Sequence, residues 1–379
     1  MSQTPYDAVL QAARGLPEVE TALAAEMLGA SLLGSVYAIA DGERADAVRE
    51  FVGGFLTHTA RRRTPAARAT RSVFAALVPQ AAGAGRVRPG PNPPPWAAQL
   101  GKVRLLETWA YGDVYGDQTS YLATFAYDEP GAGGGEHALV ILVDHNIGIV
   151  KDLFVGEPAD KLLDEVRRAA DSDDLVWLKS VPPAVMRTQV EFRLEITDNL
   201  STLPDGGSLA TDRLLASARL ATFPQASNGV SGTAPFGLSG FADLDPAELL
   251  AGFLAAEPGR SLTGDGGPGD EAVRYSVQLI LDFVRDSPEH DPLRWSPAVA
   301  GLFLLDWVHR RAVLNEDDVA ALPQVLRAWV AWSARQRELP AAAAAATDEA
   351  IEMMTPEFVR LHGAAQPTDP PSSIIPRPR

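Results

Sequence analysis

Polar residues whose types and spacing could carry chemistry gather in one short string, His137–Asp152 (HALVILVDHNIGIVKD). It holds two of the six histidines, together with Asp144 and Asp152. An imidazole and two carboxylates suit a divalent cation, and the cation would lower the pKa of its bound water enough to make a nucleophile. Strand geometry narrows the set. His137 and His145 are eight residues apart, about 26 Å along an extended strand at ~3.3 Å per residue, so they cannot share a metal. Asp144, His145 and Asp152 remain as candidate metal ligands, meeting across a turn. The competing reading, which the residue types favour, is a polar turn closing a hairpin, with Asp and Asn accepting backbone hydrogen bonds.

The string resembles the strand-then-Asp-His-His element of metal-dependent phosphoesterases, with Asn146 standing where that element has its second histidine. The other Asp-rich motifs of that family are missing from the chain. Gly264–Gly269 satisfies G-x-G-x-x-G, but no strand precedes it and Pro268 interrupts it, so it reads as a loop. Gly237–Phe241 misses the nucleophile-elbow pattern at its last position. HExxH and Walker A sequences are lacking, and the absence of cysteine excludes disulfides, thiolate nucleophiles and sulfur-ligated metals. No cofactor is expected beyond a divalent metal at the turn. Val325, Trp329 and Trp332 repeat at helical spacing and read as core.

Charge is unevenly placed. The net charge is −16, yet residues 51–106 contain nine basic residues and no carboxylate, so the remainder sums to −25. Arg61, Arg62, Arg63, Arg68 and Arg71 are the candidate partner-binding residues of that window. Closure of a helix, pairing with the acidic remainder and docking of an acidic protein partner are the readings they support. Nucleic acid is disfavoured, because the chain as a whole is acidic and no aromatic residues interleave these arginines before Phe74.

The elements that must position these residues fall into three segments. Residues 1–82 show helical periodicity, with Gly29 and Gly34 as close-packing positions and Thr64–Pro65 as an N-cap and first-turn pair. Residues 83–97 form a Pro-rich linker. Residues 98–222 switch to period-two alternation over Lys102–Tyr111, Thr119–Tyr127, His137–Asp144 and Ile149–Val155, an antiparallel meander. An amphipathic helix at Ala159–Ala170, a short strand at Asp174–Lys179, and helices at Ala184–Thr197 and Thr211–Ala221 complete it. A Gly/Ser-rich loop, 223–243, leads to a helical segment, 244–363, and a disordered tail is expected over 364–379. In the third segment Ser296–Pro297 and Thr355–Pro356 read as helix starts, and helices are expected at Pro323–Gln336 and Pro356–His362. The fold class is α+β: a helical N-terminal segment, a central β-meander with packed helices and a helical C-terminal segment. The longest clean aliphatic run is Ala138–Val143, far short of the ~20 residues of a span, so a soluble, cytoplasmic protein with no membrane contact is expected.

LFLLDWVHRRAVL (Leu302–Leu314), LPQVLRAWV (Leu322–Val330) and HALVILVDHN (His137–Asn146) resemble uncharacterised conserved proteins of high-GC, actinobacterial-type bacteria. That family has no assigned activity, so the resemblance implies no catalytic residues. The expected function is a non-enzymatic protein-interaction or regulatory module of unspecified oligomeric state. The alternative is a phosphoesterase-like, metal-dependent hydrolase working at the Asp144–His145 turn.

Overall fold

The computed structural model describes residues 4–84, 87, 90–205, 207–224, 245–263, 267–287 and 291–363. Most of the expected loop 223–243 and all of the expected tail 364–379 lie outside the described residues. Four helices open the chain: α1 (Pro5–Ala12), α2 (Ala22–Ile39), α3 (Arg44–Thr59) and α4 (Pro65–Leu77). Side-chain hydroxyls start three of them, Thr4 accepting from the Asp7 amide, Thr21 from Ala24 and Thr64 from Ala67. Gly29 and Gly34 lie where helices touch. A Cβ on Gly29 would sit 2.3 Å from the Val73 side chain, and one on Gly34 would sit 2.5 Å from the Ala210 carbonyl.

The centre is a five-stranded antiparallel sheet in the order β4-β3-β2-β1-β5, built from β1 (Val103–Asp113), β2 (Gln118–Tyr127), β3 (His137–Asp144), β4 (Ile149–Gly156) and β5 (Val176–Ser180). The short turn α5 (Pro130–Gly133) links β2 to β3. From β4 the chain crosses the outer face as α6 (Ala159–Ser172), packing Leu162, Leu163 and Val166 on Trp109, Leu122, Ala138 and Val140. The inner face carries Tyr121, Phe125, Leu139, Ile141 and Val150. It is covered by α7 (Pro183–Asp198) and α8 (Leu209–Leu220), and α2 packs along α8. One apolar cluster runs from Ala13 to Phe223 across the 83–97 segment, where Trp96 is fully buried.

The remaining helices, α9 (Pro246–Ala255), α10 (Glu257–Arg260), α11 (Asp270–Asp286), α12 (Pro297–Gly301), α13 (Val308–Arg311), α14 (Glu316–Gln336) and α15 (Ala341–Gly363), surround a second core. A π-helical turn, Leu302–Trp307, joins α12 to α13. Trp329 and Trp332 pack on Phe253 as the expected core stripe. The protein is therefore α+β, helical at both ends around an antiparallel meander. Two expected helix starts are corrected. Pro323 lies inside α14, which begins earlier at an Asn315–Asp318 capping box, and Pro356 lies inside α15, which begins in the alanine run. A reciprocal cap and a run of the strongest helix former outweigh one missing N–H in each helix.

Among the described residues one helix, α2, is long and apolar enough to cross a membrane, with a mean hydropathy of 1.5 over 18 residues. Its packing gives that composition another cause: Leu23, Ala30, Leu33 and Tyr37 are buried in the first core. Glu26, in the same helix, is 1% exposed and pairs with the equally buried Arg219 at 2.6 Å. The same guanidinium donates from Nη2 to the Tyr127 hydroxyl at 2.8 Å and from Nε to His137 Nε2 at 2.9 Å. Tyr127 donates to Glu26 Oε2 at 2.7 Å, and the Gly101 amide donates to Oε1 at 2.6 Å. Burial, with Arg219 alongside, pushes the His137 imidazole down to about 3.

His137 thus stays neutral in the folded protein while the unfolded chain takes up a proton below pH ~6.5. Stability is whole at pH 7 and falls as the pH drops through that value, by roughly 2 kcal/mol at pH 5 for a single such group. His362, lowered to about 4 by burial and by His309, adds to the fall with the same sign. Denaturant titrations at pH 7 and 5 should show this loss, and His137→Gln, which keeps an acceptor for Arg219, should reduce it by about half. An unchanged pH dependence in that variant would contradict the assignment.

Candidate functional site

The turn between β3 and β4 places its polar residues on separate tasks. Asp144 Oδ1 accepts the Asn146 amide at 3.0 Å, and Oδ2 accepts from Gln118 Nε2 at 3.2 Å and Lys151 Nζ at 3.4 Å. His145 is 2% exposed, with Nε2 3.0 Å from Thr119 Oγ1 and Nδ1 3.3 Å from Arg193 Nη2. Because a guanidinium only donates, Nδ1 is the acceptor and Nε2 carries the proton. Neither ring nitrogen then has a lone pair to offer a metal. Asp152 is directed at the start of α8, where Oδ1 accepts the Ser208 amide at 2.9 Å. The three do not converge, and among the described residues no group of three His, Asp or Glu side chains is placed to hold a metal ion.

What the turn does hold is Arg294. This side chain is 6% exposed and comes from the connection between α11 and α12. Its Nη1 donates to the Gly116 carbonyl at 3.1 Å and to Asp117 Oδ1 at 3.0 Å, and its Nη2 donates to Asn146 Oδ1 at 2.8 Å. One guanidinium therefore joins the β1–β2 turn, the β3–β4 turn and the helical C-terminal part. Burial raises the Asp117 pKa, opposed by the Ser296 hydroxyl and by Arg294. Nearby, Arg337 donates to the Tyr115 carbonyl at 3.2 Å, and the Tyr115 hydroxyl donates to the Ala343 carbonyl at 3.2 Å. Sequence reasoning missed Arg294, since 148 residues separate it from Asn146 and nothing local marks it.

The arginine window divides by role. Arg62 pairs with Asp7 at 2.6 Å, and Arg71 donates to the carbonyls of Thr59 and Arg62, closing the end of α3. Burial, then the neighbouring Arg68, lowers the Arg71 pKa. Arg61 and Arg63 are exposed on the corner between α3 and α4. Arg68 lines a recess of about 210 Å³ walled by Pro17, Pro65, Pro91, Pro93 and Pro94, and it is the one charged side chain lining it among the described residues.

A larger cleft, about 580 Å³, lies between α3, α7 and α8. Its walls carry two internally neutralised pairs, Arg213–Asp198 at 2.5 Å and Arg187–Glu191 at 2.8 Å. Glu43 and Glu195 also line it, and no cation pairs with either among the described residues. Behind the cleft the Tyr37 hydroxyl donates to Asp198 Oδ1 at 2.6 Å, and burial followed by that carboxylate pushes the phenol up. Arg44 donates to the carbonyls of Asp198, Leu200 and Ser201 and so closes the end of α7.

No family model, curated protein or solved structure matches the chain. Roles are therefore argued from these contacts alone.

Removing Arg294 leaves the partly buried Asp117, 17% exposed, without its cation, a loss toward the lower end of the ~3–5 kcal/mol of a broken buried pair. Arg294→Ala should accordingly lower stability by a few kcal/mol in denaturant, with hydrogen exchange accelerated in both hairpin turns. His145→Ala should leave the metal content of the purified protein unchanged in elemental analysis. A divalent ion lost with His145 would reinstate the metal reading.

Proposed function

We propose that the protein is a non-enzymatic interaction module that takes an acidic segment of a partner protein on the corner between α3 and α4. The carrying observation is the division of labour among the arginines. Arg62 and Arg71 fix the corner through Asp7 and the α3 carbonyls, and this leaves Arg61 and Arg63 exposed on a backbone already held in place. A pre-organised surface loses less conformational entropy when a partner binds. Beside it, Arg68 in its proline-walled recess suits a single carboxylate flanked by apolar groups. No carboxylate occurs within residues 51–106 to compete for these cations along the chain. The association should be steered by charge and weakened by salt.

A fluorescein-labelled Glu-rich octapeptide is a suitable probe in anisotropy titrations. Arg61→Glu/Arg63→Glu/Arg68→Glu should lower its affinity at least tenfold while leaving the melting temperature within a few degrees of the parent. Arg71→Glu, which removes the closure of α3, should lower the melting temperature instead. Equal binding by the parent and the triple variant would overturn the assignment.

A further inference from the structure

The rim of the large cleft continues into an apolar strip that the described residues leave uncovered. At ~100° per residue around a helix, Glu191 and Glu195 of α7 face the cleft, and Phe192 and Ile196 follow them on the solvent side. Phe192 is 62% and Ile196 37% exposed. Ile39 is 84% exposed. It closes α2 three residues before Gly42, and a Cβ on Gly42 would lie 3.7 Å from the Asn199 carbonyl at the end of α7. The surface therefore presents aliphatic and aromatic groups next to the carboxylates of Glu43 and Glu195, which pair with no cation among the described residues.

The chain itself contains a segment of the complementary pattern. Residues 372–379 read SSIIPRPR, with Ile374 and Ile375 followed by Arg377 and Arg379 and no carboxylate side chain. We propose that this segment docks on the cleft of its own chain, its two isoleucines against Phe192 and Ile196 and its two arginines on Glu43 and Glu195. The 16 residues after Gly363 span up to about 55 Å when extended, similar to the diameter of about 54 Å expected for a compact body of this length. Proline at positions 376 and 378 limits the freedom lost on docking. Tethering gives the segment an effective concentration of about 1 mM, so an intrinsic Kd near 100 μM would hold the cleft about nine-tenths occupied. This proposal is independent of the basic corner.

The absence of cysteine makes the test direct. Thr202→Cys, exposed just beyond α7, and Ser373→Cys provide two spin-label sites in the full chain for electron–electron double resonance. A single short-distance population is expected. It should be lost when Arg377→Glu/Arg379→Glu is added, and lost again with Glu43→Gln/Glu195→Gln. A broad distribution that neither set of substitutions changes would overturn the proposal. So would a short distance that disappears on dilution with unlabelled protein, because the contact would then belong to a neighbouring copy.

Discussion

The buried pair of Glu26 and Arg219 is the interaction on which the larger part of the structure depends. Two charges enclosed among Phe125, Tyr127 and the apolar face of α2 carry a desolvation cost that their mutual attraction offsets only if the remaining donors and acceptors are met. Here they are met by segments far apart in sequence: the Gly101 amide, the Tyr127 hydroxyl and His137 Nε2. The helical N-terminus, the sheet and α8 are fixed against one another at a single point. Apolar burial supplies the driving force, and the pair selects the arrangement in which α2 packs along α8 and meets the end of β2 at Tyr127. It also explains how a helix of nearly transmembrane composition belongs to a protein core.

A second arginine repeats the device at the end of the sheet. Arg294 arrives from the helical C-terminal part and meets the oxygens of two hairpin turns, helped by Arg337 on the Tyr115 carbonyl. The histidine and aspartate of the β3–β4 turn stabilise the turn itself and so shape the seat for Arg294. Internal contacts of this kind engage the polar residues that most suggested chemistry. Among the surfaces that the described residues leave exposed are two of opposite sign, the basic corner at Arg61 and Arg63 and the acidic cleft at Glu43 and Glu195.

The sequence disclosed local features far better than long-range ones. Alternation located β2, β3 and β4 to within a residue or so at each end, because a half-buried strand must place apolar side chains on one face. Thr64–Pro65 and Ser296–Pro297 announced helix starts by a mechanism confined to a few residues. Pro323 and Pro356 misled, since a proline fits the first turn of a helix yet is tolerated inside a long one when stronger signals lie upstream. Glu26 gave no sign within an apolar helix, and its partner lies 193 residues away. Asp144 and His145 illustrate the same limit. Their types invited a metal, and only the surroundings, Gln118, Lys151, Thr119 and Arg193, reveal what each side chain does.

The measurement that most directly tests the central role of the Glu26–Arg219 pair is the denaturant stability of Glu26→Ala beside Glu26→Leu/Arg219→Met. Leaving Arg219 buried and unpaired should cost the single variant about 3–5 kcal/mol, and the double variant, which removes both charges, should recover much of that loss. The helical N-terminus and the sheet should unfold in one transition in each protein. A loss below about 1 kcal/mol in Glu26→Ala, or separate melting of α2 from the sheet, would contradict the view that this pair joins them.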